Sequence, residues 1–118
     1  MTLDSSFWQA MTQLVTSNPV VIDRPKGAQH PRHPDMIYPL DYGYLENTTA
    51  GDGDGIDIWI GTSNEKILTG ILCTFDTFKR DAEIKLLIGC TEEDIQTIRS
   101  FHNYMHTLFI PNPIVNTK

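Results

Sequence analysis

Three aspartates, Asp52, Asp54 and Asp57, fall within six residues, separated only by Gly53, Gly55 and Ile56. Glycine removes side chains from around the carboxylates and lets the backbone curl. Several oxygen ligands can then converge on one volume. Hard divalent cations such as magnesium take that environment. They bind oxygen octahedrally, keep part of their water and often bridge to phosphate. Close carboxylates also repel one another, and a bound cation relieves the repulsion. An EF-hand loop is excluded by spacing. With Asp52 as its first position, Asp57 stands where the glycine belongs and Ser63 where the bidentate glutamate belongs. A ligand-free Asp/Gly turn is the simpler alternative, because both residues favour turns.

Just upstream, Arg24, Lys26, His30, Arg32 and His33 form the one basic cluster of the sequence. Carboxylates holding metal, opposed by Arg and Lys, would make a phosphate site. Tyr38, Tyr42 and Tyr44 can add hydroxyls, although Tyr38 or Tyr44 is expected in the core. His30 and His33 are candidates for metal binding or base chemistry, with simple exposure in a Pro-rich loop the plainer reading. His102 and His106 stand at i and i+4, but no H-E-x-x-H motif surrounds them. Cys73 and Cys90 sit in apolar surroundings and read as buried free thiols of a reducing compartment.

Stepping outward, the elements that must position these residues are legible from periodicity. Asp4, Ser5 and Ser6 offer N-caps to an amphipathic helix running to about Val15. Phe7, Met11, Leu14 and Val15 lie on one side of it, and Trp8 broadens that face. Val20–Asp23 reads as a strand, and residues 24–37 as a loop broken by Pro25, Gly27, Pro31 and Pro34. Strict alternation over 56–61 sets Ile56, Ile58 and Ile60 against Asp57, Trp59 and Gly61. KILTGILCTF and IKLLIG read as further strands, with Gly70 a bulge and FKRDAE a charged turn. Thr91-Glu-Glu-Asp94 resembles a capping box that opens a helix carrying Ile95, Ile98, Phe101 and Met105 on one face. From Pro111 the chain is expected to be irregular. Four or five strands between turn signals imply a small, closed or half-closed antiparallel sheet.

The composition fits these elements. The 118 residues are read as one domain, residues 1–118, long enough to bury a core without a disulfide or metal staple. Apolar content of 40% and charged content of 20% suit a globular chain rather than a disordered one. A net charge of −6 argues against binding a nucleic-acid backbone. No signal peptide and no apolar run of about 18 residues is visible, so a cytoplasmic protein without a membrane span is expected.

The stretch IYPLDYGYLENT…DGDGIDIWIG closely resembles the signature of soluble family I inorganic pyrophosphatases, YP-x-x-YG-[FY]-x-x-x-T followed by DGDP-x-DV. Tyr38, Pro39, Tyr42, Gly43, Tyr44, Thr48, Asp52, Gly53, Asp54 and Asp57 fall on it without a gap. VVIDRPKG is similar to the family's early strand, whose metal-site acid would be Asp23. AEIKLLIG is similar to the strand bearing an acid and a lysine, here Glu83 and Lys85. RSFHNYM is similar to the late helix with a phosphate-binding tyrosine, here Tyr104.

This resemblance implies an α+β, mainly β fold: a small OB-like antiparallel β-barrel with an N-terminal and a C-terminal flanking helix. It implies Mg²⁺-dependent hydrolysis of pyrophosphate to two phosphates by metal-activated water, in a homo-oligomer with a small phosphate substrate. Asp52, Asp54, Asp57, Glu83 and Asp23 would hold metal, with Asp54 also activating the water. Tyr42, Lys85 and Tyr104 would hold phosphate. The chain departs from the pattern in four places, one of them Met105, which stands where a lysine is expected after Tyr104. Only residues 26–37 separate Pro25 from Tyr38, so the family's Lys, Glu and Arg of that segment have no counterpart, and Arg24, Lys26 and Arg32 are the candidate stand-ins. Gly55 replaces a proline. Phe78 stands where a further acid is usual, leaving Asp76 or Asp81 to serve. A metal and diphosphate or nucleotide binding module on the same fold, without turnover or with altered specificity, is the alternative function.

Overall fold

The structure is a computed structural model and describes residues 5–115. Asp4, one of the expected caps, lies outside them. Helix α1 (Ser5–Ser17) is followed by β1 (Val20–Arg24), β2 (Asp41–Leu45), β3 (Ile56–Ile60), β4 (Leu68–Asp76), β5 (Asp81–Ile88), α2 (Glu92–Phe101) and β6 (His106–Pro111). The strands form one sheet in the order β1-β2-β3-β5-β4-β6. The mainly β, OB-like class is the one expected, and its sheet is partly open, with β1 and β6 at its edges. One pairing differs from the antiparallel expectation: β3 and β5 run parallel. The β4–β5 hairpin lies back across the sheet and inserts β5 beside β3.

This insertion buries β3 on both faces. On one face Ile58 packs with Leu45, Leu86 and Ile71 beneath Trp8 of α1. On the other, Trp59 packs with Tyr38, Tyr42, Leu72 and Leu87 beneath Ile95 and Ile98 of α2. Both Ile58 and Trp59 are fully buried. Burial of one such side chain stabilises by roughly 1.5–3 kcal/mol. The residue that anchors α1 is Trp8, at 3% exposure, whereas Phe7 remains 44% exposed and meets the Trp8 ring edge-on.

Helix α2 begins with the expected capping box. Thr91 Oγ1 accepts from the Asp94 amide at 3.0 Å, and Asp94 Oδ2 accepts from the Thr91 amide at 2.9 Å. Asp94 also accepts from the Thr62 amide at 2.8 Å, tying the helix to the loop after β3. These bonds outweigh burial and hold its carboxyl below the usual carboxylate range.

Two strands are additions to the expected elements. β2 lies inside the Tyr38–Asp57 stretch, and β6 follows a turn where the C-terminal helix was expected to continue. The helix ends at Phe101, so Met105 is not on its face, and His106 lies on a strand rather than one turn from His102. β6 pairs with β4, Phe109 opposite Leu72 and Leu108 opposite Cys73. Gly70 marks a register shift against β5, as expected of a bulge, and a Cβ there would approach Ile110 O at 2.5 Å.

Gly43 is required by close approach rather than by turn geometry. A Cβ at this position would lie 1.8 Å from the Val21 carbonyl oxygen of β1. Gly43→Ala should therefore lower stability by about 3 kcal/mol or more through overpacking. The check is a urea melt, and an unchanged midpoint would contradict the packing of β1 on β2.

Candidate active site

The sheet register assembles the polar centre. Asp57 on β3 lies beside Lys85 on β5 and opposite Tyr44 on β2. Glu83 is two residues from Lys85 on the same strand face. Tyr42 comes from the neighbouring register position of β2. The Lys85 ammonium donates to Tyr42 Oη at 2.9 Å, to Asp57 Oδ2 at 3.0 Å and to Glu83 Oε1 at 3.4 Å. It also lies 5.3 Å from the centre of the Tyr42 ring.

Lys85 is 5% exposed, and a lysine this buried persists as a cation only when paired. Burial works against its charge, but Tyr42 and the Asp57 carboxylate more than offset this and hold its pKa above the ordinary value. Burial pushes the Tyr42 phenol well above its usual range despite the nearby cation, so it stays protonated. Burial also raises Glu83, helped by Asp57 and opposed by Lys85.

The acidic run is a shaped loop before β3. Gly53 takes φ +90°, a left-handed backbone that glycine accepts without strain. The Asp54 amide donates to Asp52 Oδ1 at 3.0 Å, and the Gly53 amide to Ala50 O at 3.0 Å. Thr48 closes the base: its Oγ1 accepts from the Ile56 amide at 3.0 Å and donates to Leu45 O at 2.7 Å. Gly55 lies under the Tyr44 ring, where a Cβ would meet Cδ2 at 2.8 Å.

A cleft of about 700 Å³ opens over this centre. Asp23, Arg24, Tyr42, Asp52, Asp54, Asp57, Glu83, Lys85 and Tyr104, all picked out in the sequence, line it. Lys26 and Arg32 do not line it. The Lys26 amide donates to Asp41 Oδ1 at 2.8 Å, and the Arg32 amide to His30 Nδ1 at 3.1 Å, so both contribute backbone structure to the loop. Both acids left as substitutes for Phe78 line the cleft: Asp76 and Asp81. Phe78 itself is exposed. Tyr38 is a core residue, packed on Phe101 at 4.7 Å and accepting from the Arg24 guanidinium at 2.7 Å. His30 is half-buried and stacks parallel to Tyr38, while His33 is exposed. Both cysteines are free, but only Cys90 is buried as expected, Cys73 being half-buried, and burial pushes the Cys90 thiol up to about 12.

The carboxylates share one cleft but do not converge as the sequence suggests. Among the described residues, no three of His, Cys, Asp and Glu stand together as a ready ligand group. The Lys85 ammonium occupies the place between Asp57 and Glu83 and neutralises them there. Asp23, Asp52 and Asp54 are on the exposed rim, where their side chains can turn. Their hard oxygen donors fit a divalent cation that keeps several of its waters.

Sequence reasoning weighed His102 only as an i, i+4 partner of His106 and missed its place against Trp59. The Trp59 indole N–H donates to its Nε2 at 3.2 Å, and its buried Nδ1 has no partner among the described residues.

A family model described as inorganic pyrophosphatase matches residues 20–103. The chain belongs to the inorganic pyrophosphatase family. It is 40% identical over 67 residues to the inorganic pyrophosphatase of Geobacillus stearothermophilus, a match covering 50% of this chain and 39% of that relative. The inorganic pyrophosphatase of Bacillus sp. (strain PS3) gives the same figures. That of Halalkalibacterium halodurans is 55% identical over 29 residues, 25% of this chain and 18% of the relative. The matched stretch thus spans well under half the length of these relatives. No helix among the described residues is long and apolar enough to cross a membrane.

Burial holds His102 down to about 3, with Lys85 and His30 adding repulsion, against an ordinary value of 6.5. Its folded pKa lies below its unfolded one, so unfolding takes up a proton between those values. The stability it contributes is complete above pH 6.5 and is lost as pH falls toward 3. The wild type should lose up to about 1.4 kcal/mol per pH unit more than His102→Gln across this window. Parallel stability–pH curves from urea melts would contradict the burial of a neutral imidazole.

Proposed function

We propose that this chain hydrolyses inorganic pyrophosphate to two phosphates, using a divalent cation, Mg²⁺, and water as the nucleophile. The supporting observation is the Tyr42–Lys85–Asp57–Glu83 centre lying in a cleft whose rim carries Asp23, Asp52 and Asp54. The relatives named inorganic pyrophosphatase support the choice of substrate.

In this reading Asp52, Asp57, Glu83 and Asp23 hold Mg²⁺, which supplies charge neutralisation and a lowered pKa for water when bound. Asp54 orients the attacking water and takes its proton. Lys85 and Tyr42 present donors from the cleft floor to one phosphoryl group. Tyr104, on the turn after α2, contacts its oxygens from the other side. The water oxygen forms a bond to phosphorus as the bridging P–O bond breaks, and the leaving phosphate departs with the bridging oxygen. Phosphoryl transfer of this kind needs positioning and charge stabilisation, not a covalent enzyme group.

The second reading is a diphosphate-binding module with no turnover. The missing ready-made carboxylate trio favours it. Phosphate release from magnesium pyrophosphate separates the two. The hydrolase reading expects release by the wild type and a loss of about 100-fold or more in Asp54→Asn with the fold intact. Tight binding of methylenediphosphonate without any release from pyrophosphate would establish the module instead.

A further inference from the structure

We propose that Lys79, with Arg24 and His30, forms a second anion locus that holds the far phosphoryl group of a diphosphate. The choice of diphosphate rests on the pyrophosphate reading, whereas the locus itself rests on how the loops meet.

The floor of the cleft offers one cation, Lys85, already engaged by Asp57 and Glu83. A diphosphate carries charge on two phosphorus centres, and its second group needs donors of its own. The short 26–37 segment brings neither Lys26 nor Arg32 to the cleft wall. Its lining contains two other cations, Arg24 and Lys79. Among the described residues neither side chain forms an ion pair, although acids share the cleft lining.

The two cations come from different elements of the fold, and each is supported. Lys79 lies on the turn joining β4 to β5. Asp76 Oδ1 accepts from the Phe78 amide at 2.9 Å and the Lys79 amide at 3.1 Å, and the Arg80 amide donates to Asp76 O at 2.8 Å. This places Lys79 toward the cleft, while Arg80, its neighbour at φ +57°, is not part of the lining. At the end of β1 the Arg24 guanidinium lies 5.7 Å from the centre of the Tyr38 ring and donates to its hydroxyl. His30 stacks on the same ring at 6.1 Å, within reach of the Arg24 and Lys79 charges. Arg24, His30 and Lys79 thus face one space, apart from the Lys85 floor. A flexible lysine, a planar guanidinium and an imidazole together supply the donors that a phosphoryl group takes.

The test is calorimetric binding of methylenediphosphonate and of inorganic phosphate, each with Mg²⁺, to the full chain. Lys79→Ala should weaken diphosphonate binding by about tenfold and leave phosphate, which needs only the Lys85 floor, within about twofold. Lys79→Arg should restore the diphosphonate affinity. Arg80→Asn, which removes a charge from the same turn and suits its left-handed backbone, should leave both unchanged. Equal diphosphonate affinity in wild type and Lys79→Ala overturns the locus, as does equal weakening of both ligands or an Arg80→Asn effect as large as that of Lys79→Ala. Phosphate release from pyrophosphate is measured on the same samples. Lys79-dependent diphosphonate binding without release supports the locus and removes the hydrolase reading. Release without Lys79 dependence does the reverse.

Discussion

A lysine ammonium lies almost entirely buried in the middle of this sheet, and the surrounding polar architecture answers to it. Leaving that charge unpaired would cost more than most single interactions in a small domain can return. Three oxygens on three strands accept from it, Tyr42 on β2, Asp57 on β3 and Glu83 on β5 itself, and the two carboxylates counter its charge. Their convergence depends on one topological choice, the parallel pairing of β3 with β5 that sets Asp57 beside Lys85. A slip of one residue would turn Lys85 into the opposite, apolar face among Ile58 and Leu86. The charge therefore gives the register a strong electrostatic reason to hold.

The two apolar faces support the same centre. The α2 face is aromatic, with Tyr38, Tyr42, Trp59 and Phe101 in mutual contact. These rings form a stiff wall beside the cleft, and Tyr38 extends it by bonding Arg24. Gly43 lets β1 cross close to β2, which brings Asp23 and Arg24 to the rim. The rim acids remain exposed and adjustable above a rigid floor. Such a division suits a site that must recruit both a cation and a phosphate anion from water.

Legibility in the sequence followed how local each signal was. The Tyr38–Asp57 stretch carries its chemistry in consecutive residues, so its acids, Tyr42 and the backbone curl allowed by its glycines could be read in advance. The Thr91–Asp94 cap and the Gly70 bulge are local as well. The parallel β3–β5 pairing has no local signature, because alternation reports which face a residue takes and not which strand lies beside it. The same limit hid the burial of β3 on both faces. β6 was passed over because HTLFIP has half-exposed alternation and ends at a proline, features of an edge strand that also resemble a tail. Lys79 and His30 line one cleft only through the meeting of two loops, and Phe78 beside Lys79 drew notice to the acid it replaces. Lys26 and Arg32 were counted by charge alone, and the loop backbone turns their side chains elsewhere.

The central claim is that the rim acids and the lysine-centred floor act together as one divalent-cation site for a diphosphate. Titration with Mn²⁺, followed by electron paramagnetic resonance, tests this most directly. The account predicts bound Mn²⁺ in the wild type, tighter binding once methylenediphosphonate is added, and loss of both in folded Asp52→Asn and Asp57→Asn. Identical Mn²⁺ titrations for the wild type and both variants, unaltered by the diphosphonate, would contradict it.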